Sequence, residues 1–180
     1  MAGHSDNVLP LPTFDKPTKV LIVIAPYYGA ISTQQLASAR AVIESTGAAH
    51  ETVEVPGSLE IPTAIGIAHR QADFDGYVAL GCVIRGRTSH YDVVVNESAR
   101  AIATLGLGGV CIGNGIITVE TMEQAEERAD AARLDTAGGA AAAALHLIAL
   151  SRSMKRAETG IGFKPGSFQN DAARKGPTVA

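Results

Sequence analysis

Tryptophan is absent from this 180-residue chain, aromatic residues make up only 4%, and the only cysteines are Cys82 and Cys111. Two thiols in apolar stretches are too few for a disulfide framework, and they favour a reducing compartment. No apolar run reaches the length of a membrane span, and the start, MAGHSDNVLPLPTF, lacks the pattern of a signal peptide. A net charge of −3 gives no basic excess, which argues against a general nucleic-acid binder. We expect a cytoplasmic protein with neither nucleic acid nor membrane among its partners.

What is present is typical of a globular domain, with 46% hydrophobic and 18% charged residues. Three prolines and no clear periodicity mark residues 1–17, which we interpret as an extended arm. Residues 157–180 are rich in glycine, proline and charge, which is typical of a flexible carboxyl-terminal tail. The sequence therefore predicts one folded domain over residues 18–156.

Short apolar runs alternate with helical patterns across this domain. The runs VLIVIAP, ETVEVPG, GYVALGCVI and VCIGNGIITV predict strands. Helices are predicted over ISTQQLASARAVIESTG, from Pro62 onward, over HYDVVVNESARAIATLG, over TMEQAEERADAAR and over AGGAAAAALHLIALSRSMKR. Two capping boxes, Ser32 with Gln35 and Thr121 with Gln124, mark helix starts. This alternation predicts a four-stranded parallel sheet with helices on both faces.

Ligands in such folds bind beyond the carboxyl ends of the strands, which here lead into PYYGAIS, PGSLE, CVIRGRTSH and GNGIITVE. The third of these stretches places Arg85, Arg87 and Thr88 just before His90. Arginines, a hydroxyl and the N–H groups of a helix start suit a phosphate, and a histidine titrates near neutral pH. A solvated loop with a surface histidine is the alternative interpretation.

Other polar residues also have two interpretations. Arg128, in EQAEERAD, could bind an anion or pair within its helix with Gln124. Glu60 could accept hydrogen bonds from a polyol or an amine, or it could simply lie near a helix start, where a carboxylate is favoured in any case. No cluster has the spacing of a metal site, and the GLGG stretch precedes a strand, so it is not a dinucleotide fingerprint.

The motifs VPGSLEIP, LGCVIRGRTSHYD, NGIITVETMEQAEERA and GGAAAAAL, in this order and spacing, resemble the lumazine synthase family from about Val20 to Met154. The resemblance implies a flavodoxin-like three-layer α/β/α fold. It also implies a reaction of riboflavin biosynthesis, in which 5-amino-6-(D-ribitylamino)uracil condenses with 3,4-dihydroxy-2-butanone 4-phosphate. The products are 6,7-dimethyl-8-ribityllumazine, phosphate and water, and no metal or organic cofactor is implied.

The resemblance also implies a role for each matching residue. His90 matches the histidine that moves protons during imine formation and phosphate loss. The pyrimidine is implied to stack on Tyr27 and to be read by the strand backbone, whereas the ribityl chain meets Ser58, Leu59 and Glu60, with Glu60 accepting from its hydroxyls. The implied substrate-binding set is Tyr27, Ser58, Leu59, Glu60, Cys82, Val83, Ile84, Arg87, Thr88, Asn114 and Arg128, in which Arg87, Thr88 and Arg128 hold phosphate and Asn114 reaches a neighbouring subunit's site.

The chain departs from the family pattern at Tyr28, Arg87, Asn114 and Ala137; a lysine is common at the position that Ala137 takes. These departures leave open a weakly active or inactive paralogue that binds flavin or lumazine. The fold alone also allows a flavodoxin-like electron carrier with bound FMN. Family members assemble as pentamers or sixty-subunit shells, and the loop ADAARLDTAG favours a free pentamer. We expect the amino-terminal arm to lie along a neighbour's sheet edge.

Overall fold

The computed structural model describes residues 9–154, so the start of the arm and the predicted tail over 157–180 lie outside the described residues. Strands and helices alternate until two helices close the chain. The elements are β1 (Lys19–Ile24), α1 (Gly29–Ser45), β2 (Ala49–Glu54), α2 (Glu60–Gln71), β3 (Gly76–Ile84), α3 (His90–Leu107), β4 (Ile112–Val119), α4 (Met122–Ala129) and α5 (Thr136–Met154).

The four strands form one parallel sheet in the order β2-β1-β3-β4, which confirms the predicted architecture. The predicted bounds of β3 agree with the structure, because this run is buried on both faces and ends at a sharp change to polar residues. The chain moves outward from β1 to β2, then crosses back to β3 and β4. The sheet therefore has a topological switch point between β1 and β3.

Side chains of β1 alternate between two cores, one on each face of the sheet. Val20, Ile22 and Ile24 pack against α1 and α5, whereas Leu21 and Val23 pack on the side of α2 and α3. The result is a three-layer α/β/α sandwich. Within residues 9–154, no helix is long and apolar enough to span a membrane.

The alanine-rich helix α5 lies very close to β4. A Cβ atom added at Gly113 would stand 2.7 Å from the carbonyl carbon of Ala140, and closer still to its oxygen. Ala140, Ala141 and Ala144 are buried in this contact. Small side chains on both elements therefore set the distance between this helix and the sheet.

Two helix starts differ from the predictions. Helix α1 begins at Gly29, so Ser32 and Gln35 lie inside it and their predicted capping box is wrong. The Ser32 hydroxyl donates to the carbonyl of Tyr28 at 3.0 Å, and the Gln35 amide nitrogen donates to the carbonyls of Gly81 and Gly115 at 3.1 and 3.0 Å. Helix α2 begins at Glu60 instead of Pro62.

The other predicted capping box is confirmed in part at the start of α4, where Thr121 is the cap but the return bond of Gln124 goes to the residue before it. The backbone N–H of Gln124 donates to the hydroxyl of Thr121 at 3.3 Å, and the Gln124 side chain accepts from the N–H of Glu120 at 2.9 Å. This reciprocal pair satisfies two N–H groups that have no partner within the helix.

The turn between α4 and α5 ends at Asp135, a non-glycine residue with a positive φ of 43°. Its carboxylate accepts hydrogen bonds from the hydroxyl of Ser38 in α1 and from the backbone N–H of Gly138 at 3.1 Å. Asp135 therefore caps α5 and ties its start to α1.

Candidate active site

A cleft of about 290 Å³ lies at the carboxyl ends of β1 and β3, at the switch point of the sheet. Three loops surround it, the ones that follow β1, β2 and β3. Its lining consists of Tyr27, Tyr28, Pro56, Gly57, Ser58, Cys82, Val83, Ile84, Gly86, Thr88, His90, Tyr91 and Val94.

Seven of the predicted site residues line this cleft: Tyr27, Ser58, Cys82, Val83, Ile84, Thr88 and His90. The others, Leu59, Glu60, Arg87, Asn114 and Arg128, are outside its lining. Arg87 and Glu60 are exposed nearby in sequence, in the loop after β3 and in the first turn of α2.

The end of β3 presents backbone to the cleft. Its ladder with β1 stops at Leu80, whereas its ladder with β4 continues to Ile84. The backbone N–H and C=O groups of successive residues point to opposite sides of a strand. The carbonyl of Leu80 points toward β1, because it accepts from the N–H of Ala25, the residue after β1, at 3.0 Å. The N–H and C=O groups of Cys82 and Ile84 therefore lie on the edge that β1 leaves open. Such groups need partners, and a heterocycle with alternating donors and acceptors supplies them.

Cys82 contributes a neutral surface rather than a nucleophile. Its side chain is buried, and burial raises the pKa of the thiol to about 11. A thiol with this pKa stays protonated at neutral pH, so it lacks the thiolate that nucleophilic catalysis requires. Ser58 packs next to this strand, and its hydroxyl would meet a Cβ atom added at Gly81 at 2.9 Å.

Two tyrosines form one wall of the cleft. Tyr27 is 74% exposed, and its ring meets that of Tyr28 edge to face, with the ring centroids 5.0 Å apart. Burial, then Cys82 and Tyr27, raise the pKa of the Tyr28 hydroxyl, so it remains a neutral donor. Tyr27 thus packs against its neighbour while most of its side chain stays exposed, which leaves surface available for stacking with a flat ligand.

Three helices begin around the cleft without a capping side chain. The residues at their starts, Tyr28, Leu59 and Ser89, make no side-chain hydrogen bond to the helix. Helix starts favour anions through their N–H groups and their dipole. His90, the first residue of α3, is exposed at one of these starts, and Thr88 precedes it by two residues.

Glu60 approaches the cleft over a glycine. An ideal Cβ atom at Gly57, which lines the cleft, would lie 2.9 Å from a carboxylate oxygen of Glu60. The missing side chain therefore lets this carboxylate sit beside the wall formed by the loop after β2. It is an acceptor for a ligand that extends past that wall.

Arg85 does not have the role that the loop composition suggested. Its Nε atom lies 2.9 and 3.0 Å from the two carboxylate oxygens of Glu120, and its Nη1 atom donates to Asp92 at 3.0 Å. These carboxylates, Glu120 before Asp92, raise the pKa of the guanidinium. Its charge is already paired, so Arg87 is the arginine of this loop that is available to an anion.

Arg128 and Asn114 lie away from the cleft of their own chain. Arg128 is half-buried on α4, and its Nη1 atom donates to the backbone carbonyl of Gln124 at 3.4 Å, a contact within the helix but not the side-chain pair that was predicted. Asn114 is exposed on the edge strand β4, where its side chain accepts from the N–H of Ile116 at 3.1 Å. A single chain does not bring these two residues to the cleft.

Six lining residues were not in the predicted set: Tyr28, Pro56, Gly57, Gly86, Tyr91 and Val94. Tyr91 and Val94 lie on the first turns of α3, and the signal for them was the helical spacing that starts at His90. Across the described residues 9–154, no group of three or more His, Cys, Asp or Glu side chains could hold a metal ion.

These features define an α/β protein of the flavodoxin-like class, with a cleft beyond a parallel sheet that suits a flat heterocycle and an anion. The model of the 6,7-dimethyl-8-ribityllumazine synthase family matches residues 17–152. A 6,7-dimethyl-8-ribityllumazine synthase of Jannaschia sp. (strain CCS1) is 73% identical over 165 residues, which are 92% of this chain and 93% of that protein.

Two further relatives carry the same description. The protein of Sphingopyxis alaskensis is 53% identical over 131 residues, covering 73% of this chain and 93% of its own. The protein of Methylorubrum populi is 53% identical over 142 residues, which are 76% of this chain and 84% of that protein. The chain belongs to the 6,7-dimethyl-8-ribityllumazine synthase family.

Proposed function

We propose that this chain is a transferase of riboflavin biosynthesis that condenses 5-amino-6-(D-ribitylamino)uracil with 3,4-dihydroxy-2-butanone 4-phosphate. The products are 6,7-dimethyl-8-ribityllumazine, phosphate and water. The observation that carries the proposal, beside family membership, is the cleft itself. It joins the open backbone edge of β3 to the start of α3 that bears His90.

The pyrimidine binds at the end of β3. The backbone of Cys82, Val83 and Ile84 reads its carbonyl and N–H groups, and the ring of Tyr27 covers its face. The ribityl chain runs along Ser58, Leu59 and Glu60, whose carboxylate accepts from its hydroxyls. The position of Glu60 over Gly57, and the exposed ring of Tyr27, support this orientation.

The phosphate of the second substrate binds at the loop after β3. Arg87, Thr88 and the N–H groups at the start of α3 form its site, because a helix start and a free guanidinium both favour an anion. His90 lies between the two substrates and moves protons during imine formation and phosphate loss. Holding both substrates in one cleft supplies much of the rate enhancement.

The cleft is completed by a neighbouring copy of the chain in a homo-oligomer, which we propose is a pentamer. Asn114 and Arg128 then serve the neighbour's cleft, which accounts for their positions on the exposed edge strand and on α4. The described part of the amino-terminal arm, residues 9–17, extends along the neighbour's sheet, whose edge strand β2 has one side free within residues 9–154. Two free cysteines fit a cytoplasmic location.

The test is turnover by the purified protein with both substrates, followed as lumazine absorbance and phosphate release. Replacing His90 with alanine is expected to lower kcat about a hundredfold, the low end for acid–base catalysis when proximity is retained. His69→Ala is the matched control, because His69 is exposed at the far end of α2. Wild-type protein that binds lumazine without turnover would instead identify a binding paralogue.

A further inference from the structure

Arg85 is the first residue after β3, at the point where the strand leaves the sheet. Its backbone N–H donates to the carbonyl of Val119 at 2.9 Å, which continues the β3–β4 pairing by one residue. The loop that carries Thr88 begins immediately after it. The guanidinium therefore starts from a fixed part of the sheet.

The guanidinium of Arg85 connects the end of β3, which carries it, to the residue after β4 and to the first turn of α3. Its Nε atom pairs with Glu120, which follows β4, and its Nη1 atom pairs with Asp92 in the first turn of α3. The Cζ atom of the Arg85 guanidinium lies 4.0 Å from the centroid of the Tyr91 ring, which is a cation–π distance. We call these four residues the Arg85 clamp.

The start of α3 needs such an attachment. Ser89 occupies the N-cap position with helical backbone angles and makes no capping hydrogen bond. Because Tyr91 and Asp92 directly follow His90, contacts that fix both of them also fix the direction of the first turn. An uncapped turn would otherwise fray.

We propose that Arg85 is a positioning residue, which orients the first turn of α3, and with it His90, relative to the end of β3. This inference rests on the proposed function, and it removes Arg85 from the phosphate site. A phosphate ligand would need a free guanidinium, whereas that of Arg85 already meets two carboxylates and an aromatic face. Orientation by a planar fork cannot be reproduced by a lysine, which offers one point charge.

The clamp can be disturbed without unfolding the protein. The side chains of Arg85, Asp92 and Glu120 are 39, 52 and 56% exposed, and exposed ion pairs contribute little to stability. The variants R85M, R85K, E120Q and the double variant R85M/E120Q are therefore expected to fold. The matched control is R100M, which removes an exposed ion pair with Glu97 further along α3.

The experiment measures kcat and KM for both substrates, and the inhibition constant of inorganic phosphate. We expect R85M to lower kcat at least about tenfold while KM and the phosphate inhibition constant change by less than about threefold. R85K recovers little of the loss, R100M resembles wild type, and the double variant R85M/E120Q is no slower than R85M.

Several outcomes would overturn the inference while leaving the proposed function intact. A wild-type kcat in R85M is one, and a phosphate inhibition constant raised about tenfold in R85M is another, because it would make Arg85 a phosphate ligand. Independent, multiplying effects of R85M and E120Q would also refute the clamp. Absence of turnover in the wild type would refute the proposed function, and the inference with it.

Discussion

Replacing Gly113 with alanine tests how closely α5 packs against the sheet. The new methyl group would lie 2.7 Å from the carbonyl carbon of Ala140 and 3.2 Å from the backbone nitrogen of Ala144. Real Cβ contacts almost never fall below 3.0 Å. The atoms in the way belong to helix backbone, so no side chain can rotate aside.

We expect Gly113→Ala to lower the free energy of unfolding by about 3 kcal/mol, the upper end of the usual cost of overpacking. Gly139→Ala is the matched control on α5 itself. A Cβ atom there meets nothing within 4 Å, the residue is exposed, and the helix gains about 0.5–1 kcal/mol from losing a glycine. The two substitutions add the same methyl group with opposite expected signs.

Urea unfolding followed by circular dichroism measures both effects. All variants must be compared at one protomer concentration, because the stability of an oligomer depends on it. A Gly113→Ala variant within about 1 kcal/mol of wild type, or one indistinguishable from Gly139→Ala, would show that α5 can move away from β4 at little cost.

Three further predictions concern the cleft and its support. At about pH 8, iodoacetamide should label Cys82 roughly a hundredfold more slowly than an ordinary thiol, because its pKa is about 11; peptide mass spectrometry checks this, and fast labelling would contradict the burial. Gln35→Met should lower the free energy of unfolding in urea by about 1–2 kcal/mol, because two hydrogen bonds are lost. The control Gln71→Met, at an exposed residue, should change it by almost nothing, and equal effects of the two substitutions would refute this role for Gln35. Tyr27→Ala should raise KM for the pyrimidine about tenfold and Tyr27→Phe should not, and a loss in both would argue against stacking.

Strands β1 and β3 were predictable because each is a buried apolar run bounded by polar or turn residues. The bounds of β3 show this best, since the apolar run stops where Arg85 begins. Strand β2 (Ala49–Glu54) lies at the edge of the sheet and is mostly exposed, and the predicted run ETVEVPG begins and ends later than this strand. Helix starts were less predictable at α1 and α2. Local capping rules look for a capping side chain or a proline, and they pointed to Ser32 and Pro62, whereas Tyr28 and Leu59 stand at the actual starts and carry no capping group.

The candidate site was predictable as far as its residues adjoin strand ends in the sequence. Cys82, Thr88 and His90 follow this rule and line the cleft. Tyr91 did not stand out, because only the folded start of α3 turns it toward the same space. The pairing of Arg85 was equally hidden, since composition gives the charges of a loop and not which carboxylates it reaches.

The attachment of Asp135 divides the turn between α4 and α5 into two unequal parts. Its end is fixed to α1 and to the first turn of α5, whereas Ala131, Ala132 and Arg133 are exposed. Residues added among these three can loop outward, because Asp135 still starts α5 at the same place. A change at Asp135 itself would remove the cap of α5 and the link between its start and α1. The turn is therefore a natural point for inserting a foreign peptide, provided that the insertion ends before Asp135.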